Sequence, residues 1–288
     1  MMTAFPVSGP AFVRIDVQMG RIEVVAEQRD DVDVVILPAN PNRSGDRNAA
    51  EAVRVTRTGA EVSVIGAFRL NIFGPGDSID VVVRVPATSD ASVSLKYGSV
   101  HLAGTLGTVR LALDYGDASV ARVGRADLGL GHGELRVEHI SGDADVTLKS
   151  GRARIGRVTG ALRLKGSDAG IDVGTIGGVA DIATSTGVVQ LGDPGPALTV
   201  RSAYGPVRIR ELVRGTARIE GSYGALTLGV RRGTAVWLDA ASRHGVVRNE
   251  LAADVGPADG EDTLEVHART GYGDITVHRV APGAAADA

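Results

Sequence analysis

Two stretches decide the fold: Leu111-Ala112-Leu113-Asp114-Tyr115-Gly116-Asp117-Ala118-Ser119-Val120, and Leu128-Gly129-Leu130-Gly131-His132-Gly133-Glu134-Leu135-Arg136-Val137. In each, a ring-bearing residue precedes a glycine. Apolar residues stand four positions before the ring and three and five positions after it, with polar residues between. Taken as a column along the chain, that position runs Tyr97, Tyr115, His132, Ser150, Asp168, Thr186, Tyr204, Tyr223, His244. Successive steps are 18, 17, 18, 18, 18, 18, 19 and 21 residues. All five tyrosines fall before a glycine, the fifth being Tyr272.

The flanking columns keep the same phase. Three residues after the column lie Val100, Ala118, Leu135, Ala153, Ile171, Val189, Val207, Leu226 and Val247. Five residues after it the side chains are again apolar, from Leu102 to Leu228, until Asn249 breaks the series. Apolar columns with polar neighbours at period two are strands with one face inward. A helical reading fails on the period and on the glycines, and a β-propeller wants repeats of about 40 residues. A unit of this size cannot bury its own apolar face, so the next must stack on it, which is the physics of a β-solenoid.

The organisation follows. Residues 1–86 read as an amino-terminal β-strand cap continuous with the solenoid, 87–250 as the solenoid coils, 251–280 as carboxy-terminal capping strands and 281–288 as a disordered tail. Within the cap, 12–37 alternate as two strands interrupted at Gly20, and 38–51 form a polar loop with a short helical turn at its end. Strands resume at 53–56, 61–65 and 79–85. Residues 71–78 read as a tight glycine-proline turn, and 256–260 as a loop that lets the last strand pair, 263–280, sit differently.

Composition excludes several function classes. The chain has 288 residues with 39 glycines, and its aromatic residues are four Phe, one Trp and five Tyr. It has no cysteine, which removes disulfide frameworks, thiolate metal sites and cysteine nucleophiles. A net charge of −3 is not that of a globally basic nucleic-acid binder. No stretch reaches the roughly 18 apolar residues of a membrane span. The amino terminus carries no basic segment with an apolar run, so the chain is read as cytoplasmic.

The recurring turns, with Tyr115-Gly116-Asp117 and His132-Gly133-Glu134 among them, resemble those of the bacterial "putative adhesin" β-strand-repeat family of unknown function, in its soluble actinobacterial form. Gly233-Thr234-Ala235-Val236-Trp237-Leu238-Asp239 and Val266-His267-Ala268-Arg269-Thr270 are similar as well, and the likeness covers nearly the whole chain. The resemblance implies a single-stranded right-handed β-helix and no catalytic residues.

The candidate ligand-binding residues are the column itself: Tyr97, Tyr115, His132, Asp168, Thr186, Tyr204 and Tyr223. Parity places the tyrosines with the inward residues, since Leu111, Leu113 and Tyr115 share a face. One reading is a stacked ladder packed inside. The other is an exposed aromatic strip that stacks on sugar rings or a partner, and it gains if the rings face out. Midway the rings give way to Ser150, Asp168 and Thr186, and two positions upstream the leucines give way to Gly166, Thr184, Ser202 and Gly221. Asp168 reads either as a turn carboxylate bonded to nearby backbone or as part of a small polar pocket. His101, His132, His139, His244, His267 and His278 show no ligand spacing, and no Walker loop, nucleophile elbow or dinucleotide fingerprint occurs. Arg136, Arg154 and Arg208 read as a solvated face.

The expectation is a non-enzymatic interaction or scaffold module without cofactor or metal, engaging a protein partner or a second copy, with no nucleic acid and no membrane span. A carbohydrate- or small-ligand-binding solenoid is the first alternative. A polysaccharide lyase or hydrolase is the second, and it requires two carboxylates, or a carboxylate and a base, within about 5–10 Å of each other.

Overall fold

A computed structural model describes residues 2–66, 76–251 and 262–281. The chain is all-β, 76% strand and 3% helix. It divides into two compact units, Met1–Gly142 and Asp143–Ala288. The expected turn at 71–78 lies mostly outside the described residues, as do the loop at 256–260 and the tail after Ala281. Among the described residues no helix is long and apolar enough to cross a membrane.

In the first unit, Phe12–Glu27 carries the alternation that its sequence announces. Val13, Ile15, Val17, Ile22, Val24 and Ala26 are buried, and Gly20 marks the change of phase. One side of this strand pairs in parallel with the start of Asp90–Ile140. Its other side pairs in parallel with Glu61–Ile65 and Ile79–Pro86. Beyond these the pairing turns antiparallel: Arg54–Thr58 on Glu61–Ile65, Asp31–Pro38 on Ile79–Pro86, and Met2–Pro6 on Asp31–Pro38. The polar loop does end in a helix, Ser44–Glu51. Its buried Asp46 accepts the backbone N–H groups of Asn40 and Ser78, both at 3.0 Å, which ties the helix to the strand entering at Ile79.

In the second unit the described pairings are all parallel, one repeat to the next. Leu162–Ile176 lies between Ala144–Val158 on one side and Val179–Thr186 with Val189–Asp193 on the other. Ala197–Tyr204 and Gly215–Tyr223 follow on one face, Val207–Leu212 and Leu226–Arg231 on another. The columns three and five after the ring are buried as expected from Val100 to Leu228.

The last strand pair is not outermost. Thr263–Tyr272 runs between Gly215–Tyr223 and Ala235–His244, parallel to both, and Ile275–Val280 runs between Leu226–Arg231 and Val247–Asn249. The expectation that 263–280 closes the array is therefore corrected by one layer. Burial supplies the reason. Leu264, Val266, Ala268, Ile275 and Val277 face inward and are buried. The preceding repeat puts Asn249 at an inward position and leaves Val247 39% exposed. A polar side chain is costly inside the stack and cheap at its open edge.

Candidate functional site

The site begins with the glycine that follows the ring. Gly116 and Gly205 have φ of +136° and +133°, a region that side chains other than glycine rarely adopt. A Cβ on Gly116 would lie 1.7 Å from the carbonyl oxygen of Gly98, and one on Gly205 would lie 1.9 Å from that of Gly187. At these two positions only glycine lets one repeat approach the next, whereas Asp168 is followed by Ala169, which is not at positive φ. The turn also breaks the pleat: Leu95 is buried, Lys96 and Tyr97 both face out, and burial resumes at Val100.

The tyrosines consequently point to solvent. Tyr97, Tyr115, Tyr204, Tyr223 and Tyr272 are 46–56% exposed, and the inward placement expected from parity is overturned. The period-two count ends at this corner, where the column residue is exposed before Ala169 and Gly245, neither of them at positive φ, as well as before positive-φ glycines such as Gly116 and Gly205.

The rings stack on one another. In the first unit Tyr97, Tyr115 and His132 have centroids 5.1 and 4.7 Å apart and planes within 8°. In the second, Tyr204, Tyr223, Tyr272 and His244 follow at 5.1, 4.7 and 4.4 Å. His244 ends this stack because its strand is outermost. Ring faces within a stack cover each other, leaving edges and phenolic hydroxyls to solvent. Tyr204 begins its stack beside Thr186, so one of its faces carries no ring. Asp168 and Thr186, in the same column, are exposed, and Asp168 forms no inward polar pocket.

Two positions before the column the units diverge. Leu95, Leu113 and Leu130 fill the interior of the first unit. Past Leu148 the second unit carries Gly166, Thr184, Ser202, Gly221, Thr270 and Ser242 there, in the spatial order of the strands. The missing side-chain volume opens a groove of about 1050 Å³ beside Tyr223 and Tyr272. Its hydroxyls turn to backbone carbonyls: Thr184 Oγ1 donates to Thr186 at 3.1 Å, Thr270 Oγ1 to Gly224 at 3.2 Å, and Ser242 Oγ to Gly273 at 2.8 Å. Ser202 lines the groove too, yet its buried Oγ has no hydrogen-bond partner among the described residues.

The groove carries Lys165, Arg201, Arg243 and Arg269, with Glu220 as the one carboxylate among its lining residues. Arg201 pairs with Asp181 at 2.8 Å and Arg269 with Asp239, each half-exposed. None of the four cations was singled out from the sequence. Lys165, Arg201 and Arg269 share the column three before the ring, which is the signal that would have found them. A smaller depression of about 370 Å³ in the first unit holds Glu23, Asp117, Glu134 and His101. There Asp117 accepts the Glu134 N–H at 2.8 Å, Glu134 pairs with Arg136 at 2.9 Å, and His101 Nδ1 meets Ser119 Oγ at 2.5 Å. Asp117, Glu134 and His101 are thus each engaged with a neighbouring group. No set of three metal-ligating side chains gathers among the described residues.

No protein-family model and no curated protein matches this chain. Among solved structures, a "putative adhesin" from Parabacteroides merdae is 12% identical, with a TM-score of 0.37 over 97% of this chain and 95% of that one. A "putative adhesin" from Bacteroides fragilis is 11% identical, with a TM-score of 0.36 over 96% of each chain. A "putative cell adhesion protein" from Clostridium sporogenes is 10% identical, with a TM-score of 0.25 over 97% of this chain and 99% of that one.

Proposed function

We propose that this chain is a non-enzymatic binding module, built as a single-stranded right-handed β-helix, which takes a carbohydrate in the groove beside Tyr223 and Tyr272. The observation that carries this reading is an exposed aromatic stack bordering a long groove with a hydroxyl-lined base. A purely structural spine has no need to hold five tyrosine rings half in solvent. A scaffold role alone fits a buried ladder and filled flanks, as the leucine column of the first unit has. Catalysis on polysaccharide needs paired carboxylates or a carboxylate with a base, whereas Glu220 is the one carboxylate among the lining residues and the nearby Asp181 and Asp239 are held in ion pairs with Arg201 and Arg269.

Tyrosine iodination mapped by mass spectrometry, run with and without a panel of neutral and acidic glycans, tests the reading. All five rings should react in the free protein. A bound glycan should protect Tyr223 and Tyr272 and leave Tyr97 and Tyr115 reactive as internal controls. A panel that protects none of them returns the protein to a scaffold role.

A further inference from the structure

We infer that the groove of the second unit selects an acidic polysaccharide, its sugar carboxylates lying along the row Lys165, Arg201, Arg269 and Arg243; this rests on the carbohydrate reading above. The protein as a whole carries a net charge of −3, so attraction for a polyanion has to be local. It is local here, with four cations lining a single groove against Glu220 in the lining and the Asp181 and Asp239 carboxylates that pair with Arg201 and Arg269. Lys165 and Arg243 have no ion-pair partner among the described residues, and Arg201 and Arg269 keep about half of their side-chain surface in water. The lining spans six strand layers, from Gly166 to Ser242. At about 4.8 Å per layer that is roughly 24 Å, a length suited to several sugars of an extended chain.

The base of the groove asks for the same chemistry. Ser202 is only 4% exposed and its hydroxyl is unsatisfied, a state that costs about 1–3 kcal/mol. Ser202 lines the groove, and another staggered rotamer would offer its hydroxyl to a sugar hydroxyl or carboxylate oxygen there. A peptide is the poorer occupant. Apart from the outermost Ala235–His244, the strands lining the groove are hydrogen-bonded on both sides, so strand addition is confined to that one edge and the rest of the groove offers a peptide none.

The test is calorimetric titration of the full chain with polygalacturonate, alginate and hyaluronate, with the carboxyl-reduced form of each, and with poly-L-glutamate. At least one acidic glycan should bind, weakening as salt rises, and its carboxyl-reduced form should bind at least tenfold more weakly. Lys165→Ala and Arg243→Ala should each weaken binding by about tenfold, the scale of a charge-assisted hydrogen bond. Arg14→Ala and Arg54→Ala, exposed in the first unit, should leave it unchanged. Ser202→Leu, which installs the side chain that Leu95 and Leu113 provide at the equivalent place, should abolish binding. Should that variant fail to fold, the two cation variants on the open surface still decide. Equal affinity for a carboxyl-reduced glycan overturns the charge selection and leaves the carbohydrate reading standing. Binding of poly-L-glutamate but of no glycan overturns both, as does binding of none of the polymers.

Discussion

The two units share one corner and differ beside it. Each stacks tyrosines and a histidine over a column of glycines, all at positive φ except Gly245 after His244. Each also uses the aspartate after Tyr-Gly as a brace to the neighbouring layer: Asp117 accepts the Glu134 N–H, and Asp274 accepts the Val246 N–H at 2.9 Å. What changes is the residue two places before the ring. Leucine there seals the first unit, and small or hydroxylated residues there open a groove in the second. A corner that is costly to alter thus holds the stack together, while a neighbouring column is free to set the surface.

The largest effect should come from the corner, and it should be equal in both units. Gly116→Ala and Gly205→Ala combine a left-handed φ with a Cβ pressed onto a carbonyl, and each should cost roughly 3 kcal/mol or more in urea unfolding. Gly233→Ala is the control, because its φ is +81° and nothing lies within 4 Å of the added Cβ; about 1 kcal/mol is expected. Similar costs at all three positions would show that the close approach between layers is not what demands glycine.

The neighbouring column should give opposite signs in the two units. Leu113→Ser removes a buried leucine and should cost about 3 kcal/mol. Ser202→Ala removes an unsatisfied buried hydroxyl and should stabilise the chain by about 1 kcal/mol, read as a higher urea midpoint at unchanged slope. Destabilisation by Ser202→Ala would mean that the hydroxyl is already paired in solution.

Smaller differences should sort the stacks by position. Tyr115 has a ring on each side and Tyr204 on one, so Tyr115→Ala should cost about 2 kcal/mol and Tyr204→Ala about 1 kcal/mol. Equal losses would make the stack incidental to stability.

The smallest effect is confined to the open edge. The Val246 N–H, and after it the Arg248 guanidinium, hold the Asp274 carboxyl below its ordinary value of 3.8. A lowered carboxyl pKa contributes stability that is complete above the unfolded value and is lost as pH falls through the folded one. Amide exchange at Val246, corrected for its intrinsic rate, should therefore stay protected above about pH 4 and open only at lower pH. Asp274→Asn should open it throughout. Protection that ignores both changes would remove the brace from the account.

The path from sequence to structure was clear where spacing is set by the backbone. Val93 to Ile219, Val100 to Leu226 and Leu102 to Leu228 all lie inward as the repeat requires, because strand pleating converts period two directly into burial. The outward face of Tyr115 is not legible in the spacing, because a period-two count holds along a continuous strand and not through the corner at which the column stands. The layer order of 263–280 was missed for another reason. Chain order predicts neighbours only when each repeat buries equally well, and Asn249 made one repeat a poor interior layer. The groove was half visible: Gly166, Thr184, Ser202 and Gly221 stood out as small residues, but Thr270 and Ser242 join them only through the exchanged layers.

An all-β chain of short strands, the inward columns, the place of each corner and the absence of cysteine chemistry are all legible in the order of residues. These follow from residue type and spacing, which act locally. That the rings face water, that Tyr272 stands between Tyr223 and His244, and that a change from leucine to hydroxyl becomes a cation-lined groove emerge with the folded arrangement of strands. Each of those depends on which layers meet, and that choice is made by burial summed over residues far apart in the chain.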